Sequence, residues 1–318
     1  MKVAMVLSNL IIKKVNIFIV IFLFTILNPI SGFSQSALNS FLKPSDTLNK
    51  PRVKIIVISE TVIGATALIG LNQLWYADYP KSNFQTINDN SQWLQMDKMG
   101  HIFSSYHLGS FGANSLKWSG ANKKSQLLYG ATLGFAFLTT VEVFDGFSSE
   151  WGFSLGDVAA NAGGTALFVS QELLWNEQRI VPKFSFHTTE YASARPNLLG
   201  KSLQEQVLKD YNGQTYWLSA NLHSFFKQSK IPKWLNVAVG YGAEGMITGK
   251  DELVNTVFFS QKQRTRQFYL SLDLDLTKIK TKSNTLKTLF SVFNSIKIPA
   301  PTLEIVHFND IKAHLIYF

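Results

Sequence analysis

Three short polar clusters interrupt otherwise apolar stretches of this chain: Asp97-Lys98-Met99-Gly100-His101, Glu142-Val143-Phe144-Asp145-Gly146 and Asp157-Val158-Ala159-Ala160-Asn161. On a helix, residues three or four apart share a face, so Asp97 neighbours His101, Glu142 neighbours Asp145, and Asp157 neighbours Asn161. Carboxylates with one imidazole, one amide and one lysine suit two kinds of chemistry. They could hold a divalent metal that polarises a phosphoryl oxygen or activates water. Alternatively, neighbouring carboxylates in low dielectric push one pKa upward while His101, beside Asp97, transfers protons without a metal. Asp97, His101, Glu142 and Asp157 are the candidate catalytic groups. Lys98, Asp145, Asn161 and Tyr106, further along the same helix, are candidate binding groups. A structural role competes with both readings. Asp97 and Asp157 stand where helix N-termini expose amides, and Glu142 could pair with Lys98 or His101 to tie helices together. Lys98 could equally snorkel to an interface. The sequence has no His-x-x-x-His pair, Gly-x-Ser-x-Gly, phosphate-cradling glycine loop or dinucleotide fingerprint. The identity of a metal therefore stays open.

The elements that must position these clusters read as consecutive helices. The patterning predicts helices over about Val53 to Trp75, Asp97 to Lys117, Ser125 to Phe144 and Ser154 to Trp175. The first has membrane-spanning length, and Trp75, Tyr76, Tyr79 and Trp93 after it suit an interfacial belt. Short connections at 118 to 124 and 145 to 153 force antiparallel neighbours. The start of the second helix, the end of the third and the start of the fourth then fall at one end, where the clusters converge. Glycine and alanine recur at Gly109, Gly112, Ala113, Gly130, Ala131, Gly134, Ala160, Gly163 and Gly164. Glycine costs about 1 kcal/mol in a helix interior, so this density implies close backbone approach, as between membrane helices.

After Trp175 the period changes from 3.6 to 2. Phe268, Leu270, Leu272, Leu274 and Leu276 alternate with polar residues as a half-buried strand, and weaker alternation covers 181 to 191, 214 to 226, 235 to 247, 302 to 307 and 312 to 318. Leu286, Leu289, Phe290, Phe293 and Ile296 suggest one amphipathic helix among them. The fold class is α+β: a glycine-rich antiparallel bundle of about four helices followed by an antiparallel strand-rich region, with the option of a partial barrel. The final strand ends in Phe, as outer-membrane barrel strands do. His107, His187, His223, His307 and His314 read as surface or strand histidines.

Composition sets the environment. Hydrophobic residues make up 46% and charged residues 16%, below the roughly 25% charge of a typical soluble domain. Lys13 and Lys14 precede an apolar run to Leu27, and Gly32-Phe33-Ser34 has a small-x-small cleavage pattern, which predicts an export signal over 1 to 34. A linker over 35 to 52, helices over 53 to 176 and strands over 177 to 318 complete the organisation. The net charge of +9 is scattered, which argues against nucleic acid and suits contact with anionic membrane lipid. With no cysteine, disulfides and thiolate metal sites are excluded.

Asp97-Lys98-x-x-His101, Glu142-x-x-Asp145 and Phe153-Ser154-x-x-Asp157-x-x-Ala160-Asn161-x-x-Gly164 resemble, in order, the motifs of the YfiM-like family of periplasmic or outer-membrane lipoproteins. They are distantly similar to VanZ-type membrane proteins, which share the Asp-Lys-x-x-His start and Asp-x-x-x-Asn-x-x-Gly end. The resemblance covers about 93 to 168 and implies an exported envelope protein, carrying Asp97, Lys98, His101, Glu142, Asp157 and Asn161 over as the shared positions. The absence of a cysteine at the signal departs from the lipoprotein pattern. Two functions follow as expectations. One is a membrane-associated structural or binding protein with a buried polar network; the other is a hydrolase of envelope lipid or glycan precursors, with or without a divalent metal.

Overall fold

The computed structural model describes residues 35–76, 79–250, 263–306 and 310–317. The expected signal segment, 1 to 34, and His307 lie outside the described residues. The described residues divide into two units, one of those up to 43 with 281–288 and the other of those from 44 to 280 with those from 289 onward. In the first, helix α1 (Gln35–Phe41) replaces part of the expected linker, and Asn284 donates from its backbone and side-chain nitrogens to Asn39.

The larger unit opens on α2 (Lys50–Leu71), capped by Asn49, whose side chain accepts from the Arg52 amide at 3.0 Å, with Pro51 in the first turn. This helix is apolar all round and Ile56 is its only buried residue among those described. It is long and apolar enough to cross a membrane, as is the stretch Lys123–Gly146. It continues into a π-helical turn at Asn72–Tyr76. Strand β1 (Thr86–Ile87) follows, and a turn then leads to α3 (Met96–Trp118).

Helix α3 is the hub of the helical half. It packs on α4 (Leu133–Gly146), which is preceded by a π-helical turn at Gln126–Gly130, and on α5 (Leu155–Leu174), which follows β2 (Phe153–Ser154). Glycine makes this possible. A methyl group on Gly134 would collide with the Ser105 carbonyl, one on Gly164 with the Ile102 carbonyl, and one on Gly109 with the Ala131 carbonyl. The backbones touch where side chains would otherwise stand, so the small-residue pattern corresponds to real close approach.

Strands β3 (Ile180–Phe186), β4 (Gln214–Asn221), β5 (Leu235–Glu244), β6 (Thr265–Leu274), β7 (Ala300–Val306) and β8 (Asp310–Tyr317) form one antiparallel sheet in chain order, with α6 (Asn284–Phe293) between β6 and β7. The sheet does not close into a barrel. A single bridge joins Phe184 on the free edge of β3 to Ile296. The expectation of about four helices is also corrected. Besides α1 to α6, the described residues hold short helices at Lys123–Ser125, Tyr191–Ala194, Pro196–Leu199, Leu203–Lys209 and Leu222–Phe225. Each is a single turn or two, too short to leave a 3.6-residue periodicity in the sequence.

The close approaches yield a direct test. Gly134→Ala and Gly164→Ala are expected to lower unfolding stability by about 1–3 kcal/mol through overpacking against backbone that cannot yield. Gly70→Ala, which meets nothing within 4 Å, gains up to about 1 kcal/mol of helix propensity. Chemical denaturation in detergent checks the contrast.

Candidate functional site

An unusual turn delivers Asp97, Lys98 and His101 to their place. Trp93, Leu94 and Gln95 all have left-handed backbone, with φ of 49°, 50° and 67°. Such geometry costs non-glycine residues roughly 1–2 kcal/mol each, and the surroundings hold it. The Trp93 amide donates to the Gly249 carbonyl at 2.8 Å, the Tyr241 hydroxyl to the Leu94 carbonyl at 2.5 Å, and Arg266 to the Gln95 side chain at 2.8 Å. Met96 follows, fully buried. The sheet thereby sets where α3 begins. The α5 side is fixed by Ser154, whose Oγ accepts from the Asp157 amide at 3.1 Å and donates to Asp89 at 2.6 Å. The parallel pairing of β1 with β2 brings Asp89 to that position.

The three clusters meet. Lys98 Nζ lies 2.7 Å from Asp89, 3.0 Å from Asp97 and 3.0 Å from Asp157. His101 Nε2 lies 3.5 Å from Glu142 Oε1 and 3.8 Å from Asp157 Oδ1, and its Nδ1 is 2.9 Å from Asn161 Oδ1. Glu142 accepts from the Ser154 amide at 3.2 Å, and Asp145 accepts from the Tyr76 hydroxyl at 2.6 Å. Ser105 donates to the Asn161 carbonyl at 2.7 Å and fixes that residue against α3. Glu142 is 2% exposed, Asp157 5% and Asn161 0%.

Tyr106 is not part of this group. Five residues beyond His101, at about 100° per residue, it points roughly 140° away around α3. It lies in the apolar core against Phe168, its hydroxyl donating to Gln178 at 2.9 Å. Asp89, Ser154 and Tyr76 complete the site without having been candidates. The pattern Asn88-Asp89-Asn90 reads as turn chemistry, and nothing in its spacing links it to the helices. His107 is half-buried, bonded to the Pro182 carbonyl at 2.7 Å, and His314 on β8 pairs with Glu304 at 2.6 Å.

Electrostatically the site is unbalanced. Asp89, Asp97, Glu142, Asp145 and Asp157 face one ammonium and one imidazole. Burial pulls Lys98 down, but Asp97, Asp89 and Asp157 outweigh it and hold the ammonium above its usual range. Burial pushes Asp157 up and raises Asp97 to about 6 despite Lys98, while bonds from Lys98 and Ser154 outweigh burial and hold Asp89 low. Asp97 Oδ1 and Asn161 Nδ2 are buried without a hydrogen-bond partner; Asp157 Oδ1 has only the Lys98 ammonium at 3.0 Å and the His101 imidazole at 3.8 Å. Asn161 Oδ1 faces His101 Nδ1 at 2.9 Å, a pairing that suits the tautomer with the proton on Nδ1, and Nε2 faces two carboxylates. His101, Glu142 and Asp157 place one donor atom each within 4.8 Å of one another, and Asp89, Asp97 and Asp157 do the same around Lys98.

Residues 86–172 match the model of a family described as "Predicted periplasmic lipoprotein (DUF2279)". This chain is an exported cell-envelope protein. Its place is the periplasm or outer membrane, and the matched span contains the whole polar cluster apart from Tyr76. No curated protein and no solved structure matches the chain.

The raised Asp97 carboxyl gives a signed pH dependence. The folded chain keeps this proton up to about pH 6, whereas the unfolded chain releases it near its ordinary value of 3.8. More protons are bound when folded, so this group makes stability fall as pH rises through that window. In chelator, denaturation midpoints between about pH 4 and 7 are expected to fall less steeply for Asp97→Asn than for the parent.

Proposed function

We propose that His101, Glu142 and Asp157 close on one divalent cation that ties α3, α4 and α5 together, and that the protein acts as a metal-bound structural or binding component of the envelope. The observation that carries this reading is the facing of His101 Nε2 by two carboxylates inside a cluster with surplus negative charge. Buried carboxylates without countercharge are costly, and either protons or a cation must relieve them. The separations of 3.5 and 3.8 Å are near the edge of a tetrahedron with ligands at about 2.0–2.1 Å, which is about 3.3 Å. Asn161 supplies the outer partner that fixes the imidazole tautomer, the arrangement that ligating histidines use. One imidazole with two carboxylates favours zinc or manganese over calcium or magnesium. Lys98, held by the remaining acids, then balances Asp89 and Asp97.

A second reading is supported by the ligand count. Three protein ligands leave a position for water, and His101 is the most exposed of the three, its side chain 20% accessible. A metal-activated water there would make the protein a hydrolase of phosphoesters in envelope lipid or glycan precursors.

Elemental analysis after dialysis distinguishes these outcomes from an empty site. One equivalent of zinc or manganese per chain is expected, with less than a tenth of that in His101→Ala and Asp157→Asn. Chelation is expected to lower stability by about 2.7 kcal/mol relative to metal at a hundredfold excess over Kd. A chain that retains no metal and ignores chelator contradicts the proposal, and metal-dependent turnover of p-nitrophenyl phosphate would decide for the second reading.

A further inference from the structure

The sheet is inside out. On β4 to β7, Trp217, Ser219, Asn221, Asn236, Ser271, Asp273, Thr302 and Glu304 are buried, while the alternating Leu218, Val239, Leu270, Leu272 and Leu303 are 44 to 53% exposed. The buried face holds an ionic centre: Lys183 Nζ lies 2.7 Å and Lys297 Nζ 3.8 Å from Asp273, all three side chains wholly enclosed. Ser219 donates to Asp273 at 2.6 Å, and both lysines donate to strand carbonyls. Trp217 fills the space over Gly240, where a methyl group would meet its ring at 2.6 Å. In water, a sheet turns its apolar face inward; the opposite alternation, polar within and apolar without, is the pattern of strands facing lipid.

Two further features identify what covers the apolar face. Strands β5 and β6 are each 10 residues long, within the 9–11 that cross a membrane when tilted. At the end where β4 finishes and β5 begins, exposed Phe225, Phe226 and Trp234 stand beside exposed Lys227, Lys230 and Lys233, the aromatic and basic mixture of a headgroup boundary. At the opposite end α3 covers the same face, with Phe103 against Phe184 and Tyr216.

We propose that the exposed leucine and valine face of this sheet is bounded by the acyl chains of an envelope membrane, with its lysine and aromatic end at anionic headgroups. The inference is independent of the cation site. Because the chain has no cysteine, Val239→Cys, Leu270→Cys and Lys230→Cys in the full chain accept single nitroxide labels in vesicles of phosphatidylethanolamine and phosphatidylglycerol. Collisions with oxygen are expected to exceed those with a water-soluble nickel chelate at 239 and 270, with the order reversed at 230. Greater nickel access at 239 and 270 overturns the proposal. Low access to both reagents there also overturns it, since a protein partner or a second copy would then cover the face. Should labelled chains misfold, Leu270→Lys offers a second route. With unchanged circular dichroism in detergent, its partition into the same vesicles is expected to fall roughly thirtyfold; unchanged partition contradicts the assignment.

Discussion

Five buried carboxylates around one lysine and one histidine impose the constraint on which the site depends. Lys98 can answer three of them at 3.0 Å or less, yet it cannot also answer Glu142 and Asp145. Glu142 is left with a backbone amide and the imidazole, Asp145 with a tyrosine hydroxyl. Hydrogen bonds of this kind partly replace water, but they do not cancel charge. The rest of the helical half serves this arrangement. The left-handed turn at Trp93 to Gln95 starts α3 where the sheet dictates, Ser154 starts α5 where Asp89 dictates, and missing side chains at Gly134 and Gly164 let the three backbones come close enough for the acids to meet.

The helical half and the sheet each enclose a charged polar centre, although the helical half also has an apolar core around Tyr106 and Phe168. In the sheet the Lys183, Asp273 and Lys297 centre balances more evenly, and its donors are satisfied by backbone carbonyls. That balance accounts for its reading as interior packing. The helical cluster has a surplus of acid and unsatisfied atoms, which is why it reads as a site. The same contrast separates Tyr106, whose hydroxyl has a settled partner in the core, from His101, whose Nε2 does not.

Much of this was legible in the residues. Apolar runs of 20 or more residues read as helices by length even where no one face is apolar, as in α2 and α3, and α5 adds an apolar face, so all three fall within a few positions of expectation, and short connections made their ends coincide. Asp89 was hidden because two-residue strands, such as the pairing that carries it, leave no period to read. The inversion of the sheet was hidden for a different reason. Alternation of Leu270 and Leu272 with Ser271 and Asp273 is the same whichever face turns inward, and only packing decides it. The short helices between β3 and β4 escaped notice because loops and single turns share the same composition.

An anomalous-difference map from a crystal grown with manganese would test the central claim most directly. The account predicts one peak bounded by His101 Nε2, Glu142 and Asp157, with Lys98 still held by Asp89 and Asp97. A map without density there, in which Glu142 and Asp157 bond to His101 or to each other, would show that protons rather than a metal relieve the buried charge.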